Sequence, residues 1–459
     1  MEKSVKNTLE FWYIIFETMD KIFDLIKKEE ARQRETLMMI PSENYTYPEV
    51  RRAVGSILMH KYAEGDPGRR YYQGNEFVDQ VESLCEDRAL VAFGLSKDKW
   101  QANVQPHSGC EANLAVYNAF LEIGDKIMSM FLPDGGHLSH GWHLPAQAGV
   151  DDKKITLVSK IYDVHFYHVD PKTQVFNYEK IAKLAKSIKP KLIITGGTAY
   201  TRDINYKKMS QIAKSVGALY MADIAHEAGL IAAGVMNSPF PYADIVTFTT
   251  HKTLRGPRGA VIIVRKDMGE KIDRSIIPGL QGGPHLHSIA GIAIALKNTQ
   301  TAVFKKYAKQ VIKNAKILAQ ELVKKGYDVV SGGTDKHLVL IDLRSKGTNG
   351  WVVAWGLEIA GIIANRNTVP NDSGSPFYPS GLRIGTPAIT TRGMKEKEIK
   401  IIAGWVSKVI EHVKDFKMPS DPKARQSFLK AYREKIDKDE FLLGIADEVK
   451  TLCQKFPVP

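Results

Sequence analysis

The sequence predicts an α/β fold with a parallel sheet, and three observations predict it. Short apolar runs, "KPKLIITGG" and "GALYMAD", flank "KKMSQIAKSVG", which carries Met209, Ile212 and Val216 at helical spacing. Strands alternating with helices imply right-handed βαβ units and parallel pairing. A second pair of apolar, β-branched runs meets in "ADIVTFTTHKTLRGPRGAVIIV", residues 243–264. The length, 459 residues, exceeds one compact core, so a large domain and a smaller one are expected.

Residues 1–50 read as an N-terminal helical arm. Its apolar stretch "FWYIIF" (Phe11 to Phe16) is followed by Glu17 and Asp20, is too short to span a bilayer and precedes no small-residue cleavage site. An amphipathic helix packed on another part of the chain is expected there. The segment "SGCEANLAVYNAFLEIG" places Ala112, Ala115, Val116, Ala119, Phe120 and Ile123 at helical spacing, and Ser108 with Glu111 has the pattern of a capping box. From about residue 300 a long helix carries Tyr307, Val311, Ala315, Leu318 and Leu322 on one face and ends at Gly326. Strands in "VVSGG" and "HLVLIDL" follow it. The expected division is a large domain over residues 51–300 and a small C-terminal domain over residues 301–459.

Composition narrows the class. With 44% hydrophobic and 25% charged residues the chain is ordinary for a globular protein. Cys85, Cys110 and Cys453 lie far apart without metal-ligand spacing, so a reducing compartment is expected, with neither a disulfide framework nor a metal site. A cytoplasmic location follows as the expectation. The net charge of +13 raises nucleic acid as a partner, but the lysines are spread through helix-like stretches such as "FKKYAKQVIKNAKILAQELVKKG" rather than gathered beside aromatics. No nucleic-acid and no membrane partner is expected.

Ligands of open α/β sheets sit beyond the carboxyl ends of the strands. Two residues of complementary chemistry stand there: Asp223 closes "ALYMAD" and Lys252 closes "DIVTFTTHK". A lysine in a partly apolar site has its ammonium form disfavoured, so its amine can attack a carbonyl. A strand-borne carboxylate can hold a protonated ring nitrogen, the partner that pyridoxal phosphate requires. Ser108 and Gly109 open a helix whose free N–H groups and dipole favour a phosphate, and "GLQGGP" (Gly279 to Pro284) offers further amides. Taken singly, Lys252 is a strand-end lysine, Asp223 a turn residue, Ser108 a cap and "GLQGGP" a loop. Their conjunction in one α/β pattern points to a pyridoxal phosphate enzyme.

The motifs "SENYT", "KYAEGDPGRRYYQG", "NVQPHSGCEAN", "GGHLSHG", "MADIAHEAGLIAAG", "TTHKTLRGPRG", "QGGP", "SGGTDKHL", "VPND" and "SGLRIGTPAITTRG" run in order from about residue 42 to 393 and resemble serine hydroxymethyltransferase. The resemblance implies a fold-type I pyridoxal-phosphate-dependent transferase. Such a fold has a mostly parallel, mixed seven-stranded sheet between helices and a smaller α+β C-terminal domain. It implies transfer of the hydroxymethyl carbon of serine to tetrahydrofolate, the co-substrate, by a homodimer or tetramer with active sites shared across the interface.

Carried onto this chain, the resemblance makes Lys252 the Schiff-base lysine and Asp223 the partner of the pyridine nitrogen. His137 would stack on the ring. Thr198 and His226 would lie near its phenolic oxygen, and Ser108 and Gly109 would bind its phosphate, joined by Gly282 and Gly283 of a neighbouring subunit. Arg383 would bind the substrate carboxylate, helped by Ser42 and Tyr72, and Glu64, with Tyr62 two residues before it, would be the acid–base group. The folate would lie in a groove of Leu132, Gly136, His137 and Leu138 facing Ser375, Pro376 and Phe377, with Asn371 close by. His251 and Thr249 would tune reaction specificity.

The chain departs from the family's usual pattern at Cys110, Pro41 and Glu227, the last placing an acid beside His226. The rival expectations are a folate-independent aldolase of the same fold, against which "GGHL" and "SPF" argue, and a non-catalytic RNA-binding homologue. The chemistry of Lys252, Asp223 and Glu64 gives the RNA-binding homologue no support.

Overall fold

The computed structural model describes residues 20–146, 151–372, 374 and 377–459. The helix expected over Phe11 to Phe16 lies outside them. Seven strands form the main sheet: β1 (Trp100–Asn103), β2 (Lys126–Met130), β3 (Asp163–Tyr167), β4 (Leu192–Thr195), β5 (Leu219–Asp223), β6 (Ile245–Thr249) and β7 (Ala260–Arg265). Their order is β1-β7-β6-β5-β4-β2-β3. Neighbours from β6 through β3 pair parallel, while β7 runs antiparallel to both β6 and β1, giving the mostly parallel, mixed sheet.

The central strands β4 to β7 are almost continuously apolar because both faces are covered. Along β7, Val261 and Ile263 join one core, while Ala260, Ile262 and Val264 join the core on the opposite face. The helix α1 (Gly109–Phe120) packs Ala112, Ala115, Val116 and Tyr117 into the second of these cores. The helix α2 (Tyr206–Ser215) packs Met209 and Ile212 into the first, with Val216 at its margin. Ser108 caps α1, its Oγ accepting from Glu111 N at 3.3 Å. Ile123 departs from its expected place: α1 stops at Phe120, and Ile123 lies beyond it, 87% exposed.

A second, antiparallel sheet holds β8 (Asp328–Val329), β9 (Leu338–Asp342), β10 (Asn365–Asn367) and β11 (Gly381–Gly385) in the order β8-β9-β11-β10. Of "VVSGG" only Val329 is strand; a tight turn over Val330–Gly332 follows, in which Ser331 enters the left-handed region at φ 57°. Val339, Ile341, Leu382 and Ile384 build a separate core with Val352, Leu357, Ile402 and Val406. The long helix α3 (Ala302–Lys324) runs between cores. Its Tyr307 and Val311 pack against Leu230 and Ala233, whereas Leu318 and Leu322 pack into the core of the second sheet. Leu37 and Met38 pair with Ile362 and Ile363, so this part of the chain's start joins that core too. Among the described residues no helix is long and apolar enough to cross a membrane.

Candidate active site

The parallel strands β5 and β6 end side by side, and the chemistry gathers there. Asp223 is the last residue of β5, and Lys252 follows the end of β6 by three residues. Lys252 is 7% exposed, and its Nζ makes no hydrogen bond or ion pair among the described residues. Burial pushes its ammonium down from the ordinary 10.5 to about 8, against the attraction of Asp223. Asp223 is fully engaged: it accepts from Asn113 Nδ2 at 2.9 Å, from His140 Nε2 at 3.0 Å and from Ala225 N at 2.9 Å. Burial works against its ionisation, but the bonds from His140 and Asn113 outweigh this and hold the carboxyl well below its usual range.

His137 caps the short turn Leu138–His140, its Nδ1 lying 2.7 Å from Ser139 Oγ. Burial, then the neighbouring His140, bring it down to about 4, so it is a neutral ring at pH 7. The donor atoms of His137, His140 and Asp223 lie within 4.8 Å of one another, close enough to ligate an ion. Of the two histidines only His140 is bonded to the carboxylate, while His137 Nδ1 is engaged with Ser139. Gly109, at the start of α1, lies so close to Thr249 that a Cβ would come within 2.5 Å of Thr249 Cγ2.

Arg383 reaches the same place from β11. Its Nη1 donates to Thr198 O and, at 2.7 Å, to Thr198 Oγ1, and its Nε donates to Asn365 Oδ1 at 3.1 Å. It is 7% exposed, has no carboxylate partner among the described residues, and burial alone brings its guanidinium down to about 10. His226 Nδ1 lies 3.1 Å from His337 Nε2, and burial holds both rings well below the ordinary histidine value. His251, brought down to about 3 by burial and then Arg258, lies 3.1 Å from Arg258 Nη1. It lines a cleft with Ser42, Asn44 and Gly256.

A second cluster stands apart. Glu64 accepts from Tyr62 OH and Tyr72 OH, each at 3.1 Å. Gly282 packs on it so closely that a Cβ would lie 2.9 Å from Glu64 Oε1, and Gly283 faces the Tyr62 ring. Tyr62 and Tyr72 are 56% and 44% exposed. Among the described residues no hydrogen bond, ion pair or ring contact joins this cluster to Lys252, Asp223 or Arg383. In the expected folate groove, Leu132 and His137 are half-buried, Gly136 is buried with no room for a side chain against Met130 O, and Leu138 is 52% exposed. Phe377 is 73% exposed, Asn371 adopts φ 58°, and Ser375 and Pro376 lie outside the described residues.

Sequence reasoning missed His140, Asn113 and His337. The signals were present: His140 is the second histidine of "GGHLSHG", three residues after His137, and Asn113 is a polar residue on the apolar face of α1.

The fold, with a lysine and an aspartate at neighbouring strand ends, defines the class as fold type I, the architecture of pyridoxal-phosphate-dependent enzymes. A sequence profile described as serine hydroxymethyltransferase matches residues 15–406. The chain belongs to the serine hydroxymethyltransferase family, which is pyridoxal-phosphate-dependent. Its relatives include a mitochondrial serine hydroxymethyltransferase of Kluyveromyces lactis, 44% identical over 455 residues, covering 96% of this chain and 90% of the relative. A serine hydroxymethyltransferase of Bombyx mori is 44% identical over 459 residues, covering 97% of each chain. Serine hydroxymethyltransferase 3, chloroplastic, of Arabidopsis thaliana is 44% identical over 458 residues, covering 97% of this chain and 84% of the relative.

The activity is the reversible transfer of the hydroxymethyl carbon of serine to tetrahydrofolate, giving glycine and 5,10-methylenetetrahydrofolate. The expected cytoplasmic location is overturned: the Kluyveromyces and Arabidopsis relatives are mitochondrial and chloroplastic by name. Three cysteines without disulfide spacing speak for reducing surroundings but do not say which compartment provides them.

Proposed function

We propose that this chain performs serine hydroxymethyl transfer at Lys252, with pyridoxal 5′-phosphate held by Asp223, His137, Ser108, Gly109, Thr198 and His226. The observation that carries the reading is a buried Lys252 ammonium without an ionic partner beside a fully ionised Asp223. Its neutral amine is the attachment point. Asp223, braced by Asn113 and His140, keeps a positive N–H on the ring nitrogen. Neutral His137 offers a flat apolar face, and the free N–H groups at the start of α1 receive the phosphate. When bound, the cofactor supplies the electron sink for the electrons left on the α-carbon as the hydroxymethyl carbon departs.

Arg383 receives the carboxylate of serine, since a buried guanidinium with no acid partner suits a bidentate anion. Ser42 and Tyr72 assist it. Glu64, placed between Tyr62 and Tyr72, moves the proton of the serine hydroxyl. Because the Glu64 cluster is exposed and apart from Lys252, we assign it and Gly282 and Gly283 to the site of a second copy, which makes the enzyme a homodimer at least. Thr249 and His251 shape the pocket beside Lys252 and set reaction specificity. Tetrahydrofolate lies along Leu132, Gly136, His137 and Leu138, with Asn371 and Phe377 assigned to the same groove; Ser375 and Pro376, assigned with them, lie outside the described residues. The separate cores of the two sheets support a large domain over 51–300, a small one over 301–459 and an arm before residue 50.

Borohydride treatment of the enzyme loaded with pyridoxal phosphate, followed by peptide mass analysis, is expected to find the pyridoxyl adduct on Lys252. An adduct elsewhere, or none, would end the assignment. The rate from serine to glycine is expected to rise when tetrahydrofolate is added, and equal rates would select the folate-independent aldolase.

A further inference from the structure

The residues given roles so far leave a buried ion pair unused. Lys336 Nζ donates to Glu227 Oε1 at 2.6 Å, with the two side chains 1% and 3% exposed. Lys336 also stands 5.3 Å from the centre of the Tyr200 ring. The partners come from different sheets. Glu227 follows β5, four residues after Asp223, and begins the helix Ala228–Ala232, its carbonyl accepting from Leu230 N and Ile231 N. Lys336 lies two residues before β9.

The residue beside each partner makes the neighbouring contact, His226 with His337 at 3.1 Å. Two consecutive residues of one sheet's loop therefore meet two consecutive residues of the other, and a two-point contact fixes orientation as well as distance. From there β9 leads straight to the substrate site. Leu338 pairs with Gly385, and Leu340 pairs with Arg383.

We propose that the Glu227–Lys336 pair is a latch that positions β9 and β11, and through them Arg383, for the carboxylate of serine. Both are positioning residues, and the inference rests on reading Arg383 as the carboxylate-binding group. Stability alone does not account for the pair. A buried ion pair commonly contributes no more than an apolar pair of equal volume, because desolvation offsets the attraction. What it adds is a directed contact at one distance, whereas apolar side chains can slide. Charge balance requires both members. Glu227 attracts Lys252, so a Glu227 without its partner would draw the ammonium towards itself. A Lys336 without its partner would add an uncompensated cation beside His337, near Arg383 and Lys252.

Four variants test the latch: Glu227→Gln, Lys336→Met, the apolar pair Glu227→Leu with Lys336→Met, and Arg383→Lys. Glycine affinity of the holoenzyme, serine kinetics and melting temperature are measured, together with amide hydrogen exchange of Gly381–Gly385 in the apoprotein. Each single latch variant is expected to weaken glycine binding and raise the serine KM at least tenfold, with kcat falling less than KM rises. The double variant is expected to regain melting temperature, having no unpaired charge, but not glycine affinity. Exchange across Gly381–Gly385 is expected to quicken at least tenfold in all three.

Recovery of affinity along with stability in the double variant, or unchanged exchange, overturns the latch. The double variant answers even if a single variant fails to fold. Glycine binding at parent strength in Arg383→Lys refutes the carboxylate reading instead, and the exchange measurement then still decides whether the pair positions β11.

Discussion

Replacing Lys252 by methionine removes the amine and keeps most of the volume, so the apoprotein should become more stable while activity disappears. The magnitude follows from burial. Each tenfold change in proton affinity is about 1.4 kcal/mol, so lowering the ammonium from 10.5 to about 8 means that folding pays about 3 kcal/mol to bury it at neutral pH. Between about 8 and 10.5 the unfolded chain still holds this proton while the folded chain has released it. Stability therefore rises with pH across that window. Below about 8 both states are protonated and the whole penalty applies.

Urea unfolding of apo Lys252→Met should accordingly exceed the parent by about 3 kcal/mol at pH 7, a gap that narrows to about 1 kcal/mol at pH 10. The same burial explains reactivity: at pH 7 the neutral fraction of the amine rises from about one in three thousand to about one in ten. A variant no more stable than the parent, or a gap indifferent to pH, would refute a buried, strained ammonium.

Three further perturbations test the supports of the site. Asp223→Asn puts an amide where Asn113 and His140 donate, and should lower kcat at least about a hundredfold, measured in steady-state assays of the cofactor-saturated enzyme. Gly196→Ala requires a Cβ at 2.1 Å from Asp223 O with φ at +129°, so calorimetry should show a loss of more than about 1 kcal/mol, with lower activity because Asp223 is displaced. Glu82→Gln removes one of the two carboxylates on the buried Arg70 guanidinium, which pairs with Glu82 at 2.5 Å and keeps Asp79 at 2.8 Å, and should cost about 1–3 kcal/mol in urea unfolding. Because Arg70 also donates to Ala63 O and Gly65 O on either side of Glu64, that variant should lose turnover along with stability.

What the sequence reveals and conceals divides along one physical line. Strands β4, β5, β6 and β7 were legible because each is a short apolar run ended by turn residues, and chain order puts Asp223 and Lys252 at their carboxyl ends. The cap at Ser108 was legible because it acts over three residues. Ile123 was misplaced because apolar spacing continues past the point where α1 stops, and spacing carries no termination signal by itself. Residues defined by distant partners stayed hidden. Asn113 reads as a polar interruption of an apolar stripe until Asp223, 110 residues later, is set against it. Arg383 reads as a surface charge until β11 brings it to Thr198, 185 residues earlier. Lys336 looks like one more solvated lysine, and only its approach to Glu227, 109 residues earlier, shows two opposite charges sharing a dry contact. A buried charge is therefore where sequence reading fails first, since the partner that makes burial tolerable is chosen by the fold rather than by neighbours along the chain.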